Sequence, residues 1–298
     1  MISVIDLNFL NLEHSIASFL VKSQEGDILI ESGPHSTFSH LSKGLKSQGV
    51  DTENIQHVFL THIHLDHAGA AWQMAEFGAN IYMHPFGVPH LNRPEKLIES
   101  ASRIYKDDMD RLWGTIKGIP EKKIISVEDN REFSFGDLTI KSLHTPGHAK
   151  HHIAWQIDDL ILAGDVAGVK IDGGPVVPPC PPPDINIEDW LNSIERISKC
   201  RPNRLLLTHY GEIHDVDDHL NELSEILFDW SQWIKTTMEA GKSIEEMTPA
   251  FTEYTSNQLR AKGVGEYGIK QYQAANPSWM SVAGLTRYWK KKRAESQG

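Results

Sequence analysis

The sequence has few of the features that mark secreted or membrane proteins. Its two cysteines, Cys180 and Cys200, are too few for a disulfide framework and form no CxxC pair, so both are expected to be free thiols. No apolar run approaches the roughly 20 residues that a membrane helix needs. The N-terminus lacks the basic segment and apolar core of a signal peptide. These absences predict a cytoplasmic protein without a membrane partner.

Positive charge is also scarce. Lys and Arg number 29 against 40 Asp and Glu, which gives a net charge of -11 with histidine neutral. A protein with a net negative charge repels polyanions, so we expect a small-molecule substrate rather than nucleic acid. The sequence is compatible with a homodimer. Histidine, by contrast, occurs 16 times. Because histidine is the commonest protein ligand for metals such as zinc, its positions are informative.

The apolar pattern predicts a mixed α/β protein. Helical spacing of apolar residues indicates helices at residues 36–47, 67–77 and 187–199. Early strands form hairpins and later strands alternate with helices, which favours a layered fold with helices outside two sheets. Short runs rich in Ile, Val, Leu and Phe predict the strands. These strands are expected at residues 2–7, 16–21, 27–30, 58–61, 80–83, 138–143, 153–157, 160–163 and 205–208.

The end of the chain differs from the rest. After Tyr210 the strand signals stop, and only helical patterns follow. We therefore predict a main domain at residues 1–215 and a C-terminal helical extension at 216–298 that packs on it. The helices of the extension are expected at residues 215–240, 243–262 and 279–293.

A helical insert interrupts the strand pattern of the main domain. Residues 94–117 read as helical, and the insert as a whole covers about 85–120. It carries three large side chains, Tyr105, Met109 and Trp113, which we expect to form an apolar wall beside the substrate.

Four potential metal ligands lie close together directly after the apolar run at residues 58–60. In an extended chain, residues two apart point the same way, so His62 and His64 share one side of the strand end. Asp66 and His67 follow where a helix begins. Imidazole and carboxylate groups in this density suit zinc or iron, so the segment predicts a metal site.

These residues, HIHLDH at 62–67, resemble the HxHxDH signature of the metallo-β-lactamase fold hydrolases. The resemblance covers roughly residues 1–215 and implies an α/β fold, the αββα sandwich, with a dinuclear metal site along one edge. Three later motifs of the family match in the expected order. They are His148 in a TPGH context, Asp165 in a GD context and His209 at the end of an apolar run.

The resemblance also implies a role for each residue. One metal ion would take His62, His64 and His148, the other would take Asp66, His67 and His209, and Asp165 would bridge them. The ions are expected to be zinc, with iron or manganese as alternatives. A metal-bridging hydroxide would attack the substrate. Asp66 would orient it and protonate the leaving group.

Some positions depart from the family or stay open. Glu31 stands where the family often has an aspartate behind the ligands, and Gly168 stands where the lactonases of the family have a tyrosine. The roles of His151, His152 and Tyr210 are open between lining the site and ordinary packing.

The resemblance favours a metal-dependent hydrolase of the glyoxalase II-like or lactonase-like branch, acting on a lactone, thioester or related acyl substrate. A phosphodiesterase or a β-lactamase is the alternative on the same site. An iron-dependent dioxygenase-type oxidoreductase is the alternative from another class. A non-catalytic binding module is disfavoured because no ligand of the family pattern is lost.

Overall fold

In a computed structural model, which describes residues 2–297, the chain forms two sheets of six strands each. The first sheet consists, in chain order, of β1 (Ile2–Asp6), β2 (Ala17–Val21), β3 (Ile28–Ile30), β4 (His57–Phe59), β5 (Asn80–Met83) and β6 (Ile124–Ser126). Strands β1 to β3 pair antiparallel, and β3 to β6 pair in parallel.

The second sheet contains the remaining strands, which are β7 (Glu132–Phe135), β8 (Leu138–His144), β9 (Ile153–Ile157), β10 (Leu160–Leu162), β11 (Arg204–Leu207) and β12 (Gly211–Ile213). Neighbours in the chain are also neighbours in this sheet. Only β10 and β11 pair in parallel, and a helix connects them; the other pairs are antiparallel.

The buried side chains form three hydrophobic cores, and neighbouring residues of a strand belong to different cores. Successive strand residues point to opposite faces. Phe19 of β2 therefore enters the core between the sheets, while Leu20 faces the outer helices of the first sheet. In β10, Leu160 also lies in the inter-sheet core and Ile161 faces the outer helices of the second sheet. The predicted αββα sandwich is confirmed.

The helices form the two outer layers. On the first sheet they are α1 (Phe38–Ser47), α2 (Leu65–Ala68), α3 (Ala71–Glu76), α4 (Val88–Asn92), α5 (Glu95–Tyr105) and α6 (Met109–Trp113). On the second sheet they are α7 (Ile187–Lys199), α8 (Val216–Glu239), α9 (Ile244–Ala261), α10 (Glu266–Ala275) and α11 (Ser278–Gln297). Within residues 2–297, none of these helices has the length and apolar character to cross a membrane.

Several sequence predictions need correction. Strand β12 exists although no strand was expected after Tyr210, because backbone pairing with β11 at the sheet edge forms it rather than an apolar run. The helix expected at 67–77 is split into α2 and α3, since the Ala70 N–H donates to the carbonyl of Gly33 and leaves the helical ladder. Helix α10 was not predicted. The stretch expected to be helical at 94–117 forms two helices, α5 and α6, joined by a 3-10 turn, and α4 precedes them in the insert.

Other sequence predictions hold. Both cysteines are free thiols. Helix α7 has the predicted bounds, and α8 and α9 begin and end within one residue of theirs. The division of the chain into two domains at residue 215 stays a prediction.

Candidate metal centre

The predicted ligands follow strand ends at one edge of the sandwich. His62 and His64 come after β4, His148 after β8, Asp165 after β10 and His209 after β11. The carboxyl ends of parallel neighbours lie at the same edge of a sheet, which brings these turns together. Three groups result, each with its ligand atoms within 4.8 Å of one another. The groups are His62, His64 and His148; His62, His67 and Asp165; and Asp66, His67 and His209.

The first cluster consists of His62, His64 and His148. The Nδ1 atom of His64 lies 2.8 Å from Nε2 of His62 and 3.0 Å from Nε2 of His148. The two Nε2 atoms are 3.2 Å apart. Nitrogen ligands about 2.0–2.1 Å from a tetrahedral zinc ion would be about 3.3 Å apart. The spacing of the first cluster is therefore close to that of a metal site.

The second cluster consists of Asp66, His67 and His209. The Oδ2 atom of Asp66 lies 3.7 Å from Nε2 of His67 and 3.5 Å from Nε2 of His209. Asp165 lies between the clusters. Its Oδ1 is 3.2 Å from His67 Nε2, and its Oδ2 is 3.3 Å from His148 Nε2. One carboxylate thus faces both groups of histidines.

In His148 and His209, the ring nitrogen that points away from the clusters is hydrogen-bonded to a backbone carbonyl. Nδ1 of His148 donates to the carbonyl of Pro179 at 2.8 Å, and Nδ1 of His209 donates to the carbonyl of Ser15 at 2.7 Å. These bonds set the tautomer, so Nε2 of each ring presents a lone pair to the centre. Such outward partners are typical of histidines that bind metals.

Glu31 supports one histidine of each cluster. This fully buried carboxylate accepts a hydrogen bond from His67 Nδ1 at 3.1 Å and another from the Thr61 hydroxyl. The Thr61 oxygen in turn accepts from His62 Nδ1 at 2.9 Å. Glu31 also has a φ of 64°, a left-handed conformation that is uncommon for non-glycine residues. The longer glutamate therefore serves as an outer partner of the ligands.

His152 holds Asp165 in place, a role that sequence reasoning did not assign. The Asp165 N–H donates to His152 Nε2 at 3.2 Å, and His152 Nδ1 lies 2.8 Å from the Thr145 hydroxyl. Because Nε2 accepts, Nδ1 is the protonated nitrogen and donates to Thr145. His152 is fully buried. Its proximity in the sequence to His148 was the only signal available.

Gly164 explains why a glycine precedes the shared aspartate. Its φ is 50°, and a Cβ atom there would come 2.7 Å from Thr61 Oγ1 and 2.8 Å from His152 Nε2. Both distances are far below van der Waals contact. The GD pair thus lets the turn after β10 approach the supports of both clusters.

The electrostatics of the two clusters differ. Burial and the neighbouring imidazoles of His148 and His67 lower the pKa of His64 to about 3, even though Asp66 and Asp165 act in the opposite direction. Burial by itself would raise the pKa of Asp66, but the rings of His67 and His209 lower it to about 2. For His67, burial is outweighed by the nearby carboxylates, which raise its pKa. The first cluster is thus a set of neutral nitrogen donors, whereas in the second cluster the carboxylates raise the pKa of both histidines.

Three buried atoms of the centre lack a hydrogen-bond partner among the described residues, namely His67 Nε2, Asp165 Oδ1 and His209 Nε2. Unpartnered polar atoms are costly inside a protein. Here they converge with neutral nitrogen donors and ionised carboxylates, which are the ligands of zinc, iron and manganese. The residues present therefore fit metal ions, and the clusters are capable of binding them.

An apolar cavity of about 660 Å³ lies over the clusters, with His64, Asp66 and Asp165 in its lining. Parts of the chain that are distant in sequence also line it, with Phe9, Ile104, Pro181 and Met280 as examples. The insert contributes Tyr105 and Trp113, as predicted. The prediction for Met109 was wrong, because its side chain packs against the outer core of the first sheet instead of lining the cavity.

An αββα sandwich whose strand ends carry histidine and aspartate clusters capable of binding metal is the arrangement of the metallo-beta-lactamase fold. The chain belongs to the metallo-beta-lactamase superfamily, whose family model matches residues 13–209. Members of this superfamily are mostly metal-dependent hydrolases.

The chain is similar to several individual members. The metallo-beta-lactamase fold-containing protein ST1585 from Sulfurisphaera tokodaii is 29% identical over 177 residues, which cover 57% of this chain and 67% of ST1585. An atrochrysone carboxyl ACP thioesterase from Pseudocercospora fijiensis is 26% identical over 48% of this chain, and the match spans only 33% of the thioesterase. The crystal structure of the metallo-beta-lactamase family protein TTHA1429 from Thermus thermophilus superposes on this chain with a TM-score of 0.72 and 16% identity. The superposition includes 98% of this chain and 94% of the TTHA1429 chain. This last likeness shows the fold.

Proposed function

We propose that the protein is a hydrolase of ester-type bonds in small acyl substrates, such as lactones or thioesters. We propose further that it uses two metal ions, with zinc as the expected metal. The observation that carries this proposal is the position of Asp165. Its Oδ1 lies 3.2 Å from His67 Nε2 and 3.5 Å from His209 Nε2, while its Oδ2 lies 3.3 Å from His148 Nε2. A carboxylate that faces two sets of histidines suits a pair of ions better than a single one.

In this proposal, some residues bind the metal ions and Asp66 transfers a proton. His62, His64 and His148 would hold one ion, Asp66, His67 and His209 the other, and Asp165 both. When bound, the ions supply Lewis acidity that lowers the pKa of water and polarises the substrate carbonyl. Asp66 Oδ2 is directed to His67 and His209, which leaves Oδ1 to accept the proton of the attacking water and to pass it to the leaving group.

The lining of the cavity supports an acyl substrate. Its volume of about 660 Å³ lies in the range of pockets that enclose small molecules, and most of its wall is apolar. Lys96 and Arg111 are lining residues with positive charge, and both are exposed. Arg111 is paired with Asp108 at 2.9 Å. The cavity thus offers more to an aliphatic chain than to a phosphodiester.

The proposal is tested by metal analysis together with a substrate panel. Protein expressed with ample metal should contain close to two ions per chain. A panel of a lactone, a thioester, a phosphodiester and a β-lactam, assayed with zinc-, manganese- and iron-loaded protein, should show the highest kcat/KM for the lactone or the thioester.

Two outcomes would contradict the proposal. Folded, metal-replete protein with a metal content near zero would remove the metal centre. A preference for the phosphodiester or the β-lactam, or oxygen uptake by the iron-loaded protein without hydrolysis, would replace ester hydrolysis by another activity.

A further inference from the structure

His151 is a polar side chain of the cavity that the proposed metal centre does not use. Only 7% of this residue is exposed, and it lines the cavity together with His64, Asp66 and Asp165. A molecule that reaches the two clusters through the cavity therefore passes the imidazole of His151.

The hydrogen-bonding capacity of this imidazole is unused. Nδ1 of His151 is enclosed by protein and has no hydrogen-bond partner among residues 2–297. Because Nδ1 is enclosed, Nε2 is the ring nitrogen that the cavity can reach. Nε2 is not one of the enclosed atoms and forms no hydrogen bond within residues 2–297, so it is an accessible polar group that a ligand in the cavity can satisfy.

The ring is also held next to the first cluster. Its centroid lies 5.8 Å from that of His64, and it is nearly parallel to His62 at 6.1 Å, with an angle of 15° between the planes. On either side in the chain, His148 and His152 are hydrogen-bonded to the protein. Burial of His151 against the rings of His62 and His64 restricts its rotation, and a donor held in this way needs little reorganisation when a substrate arrives.

We propose that His151 Nε2 donates a hydrogen bond to the carbonyl oxygen of the substrate at the reacting carbon, an inference that rests on the proposed function. When water adds to this carbon, the π electrons of the carbonyl move to its oxygen, where negative charge develops. A fixed N–H donor stabilises that charge without giving up its proton. The bond to the leaving group then breaks as the carbonyl re-forms, and the proton of the water reaches the leaving group through Asp66.

Three variants separate this role from packing. His151→Phe keeps a ring and removes both nitrogens. His151→Gln places an amide N–H near the position of Nε2, whereas His151→Asn places one near Nδ1. His214→Gln is the matched control, because His214 is an exposed histidine outside the cavity.

The variants are compared as zinc-loaded proteins in two measurements. The first is kcat and KM for 4-nitrophenyl octanoate. The second is calorimetric titration with octylphosphonate, an analogue of the tetrahedral species that forms when water adds to the carbonyl carbon. We expect His151→Phe to lower kcat on the order of 100-fold, the usual effect of one lost oxyanion donor. Octylphosphonate should also bind more weakly, while metal content stays that of the wild type. His151→Gln should recover most of both quantities, His151→Asn should not, and His214→Gln should match the wild type.

Wild-type octylphosphonate affinity in His151→Phe would overturn the inference, and so would equal kcat values in the glutamine and asparagine variants. If the wild type hydrolyses no ester or thioester, the proposed function fails. The octylphosphonate titrations then still decide whether His151 contacts a ligand in the cavity. Should the phenylalanine variant fold poorly, the glutamine and asparagine pair carries the test, since both retain a polar side chain.

Discussion

At the scale of single residues, Asp165 occupies the position on which both clusters depend. Its two oxygens face different histidines, His67 on one side and His148 on the other. Its backbone N–H is held by His152. Asp66, by contrast, lies beside the histidines of the second cluster, with its Oδ2 3.7 Å from His67 Nε2 and 3.5 Å from His209 Nε2. The two aspartates therefore make different contributions to the binding of metal.

We expect Asp165→Asn to lose metal from both clusters and Asp66→Asn to spare the cluster of His62, His64 and His148. Loss of an outer partner of a metal ligand already costs about 10–100-fold in affinity, so loss of a shared ligand should cost at least as much. Elemental analysis after dialysis against a chelator measures the ions retained. An Asp165→Asn protein with full metal content and full turnover would show that the aspartate is not shared.

At the scale of elements, the helical insert both packs and lines the cavity. Trp113 of α6 stacks on Phe9, with ring centroids 5.8 Å apart, and belongs to the outer core of the first sheet. Replacing it with alanine would cost about 3–5 kcal/mol of stability and would disturb the cavity at the same time. Tyr105 of α5 is only half-buried and lines the cavity, so it separates the two roles better.

We therefore expect Tyr105→Ala to raise KM and to weaken the dependence of kcat/KM on acyl chain length. Each methylene that the intact wall buries should contribute about 0.8 kcal/mol, or about fourfold in kcat/KM. Measurements with acyl substrates of increasing length test this, and metal content should not change. Met109→Ala is the control, because Met109 packs against the core outside the cavity and should affect stability alone. A flat chain-length dependence in the wild type would rule out the acyl substrate.

At the scale of the whole molecule, the C-terminal helices are hydrogen-bonded to the loop that carries Asp165. His219 of α8 is buried, and its Nε2 donates to the carbonyl of Ala167 at 2.7 Å. Helices α10 and α11 close one side of the cavity through Ala275 and Met280. The helical end of the chain is thus part of the surroundings of the site.

The burial of His219 makes stability depend on pH. Burial lowers the pKa of His219 to about 4, whereas an unfolded histidine titrates near 6.5. Between these two pKa values the unfolded chain binds a proton at His219 that the folded chain does not bind. The free energy of unfolding contributed by this residue is therefore fully present above pH 6.5 and falls as the pH drops toward 4. At pH 5 the loss from this residue is about 2 kcal/mol.

Urea unfolding at pH 7 and pH 5 measures this effect. His219→Gln keeps an N–H donor for Ala167 but cannot titrate, so the variant should lose less stability than the wild type between the two pH values. Equal losses in both proteins would show that protonation of His219 does not contribute.

The sequence by itself determined the chemistry of the centre and the type of fold. Ligand pairs such as His62 and His64 are close in the chain, and the period-two pattern of the strands before them is local, so both are readable without coordinates. His148, Asp165 and His209 were identified through the resemblance to the metallo-β-lactamase family, whose later motifs occur in this order.

Only the tertiary structure decided which residues support the ligands and what covers them. Glu31 reaches Thr61, and Phe9, Pro181 and Met280 meet in one cavity, although they lie far apart in the chain. Likewise, β12 forms through backbone pairing that leaves no apolar signature. Such contacts depend on how the sheets and helices pack, and a local pattern of residue types carries no information about packing across the fold.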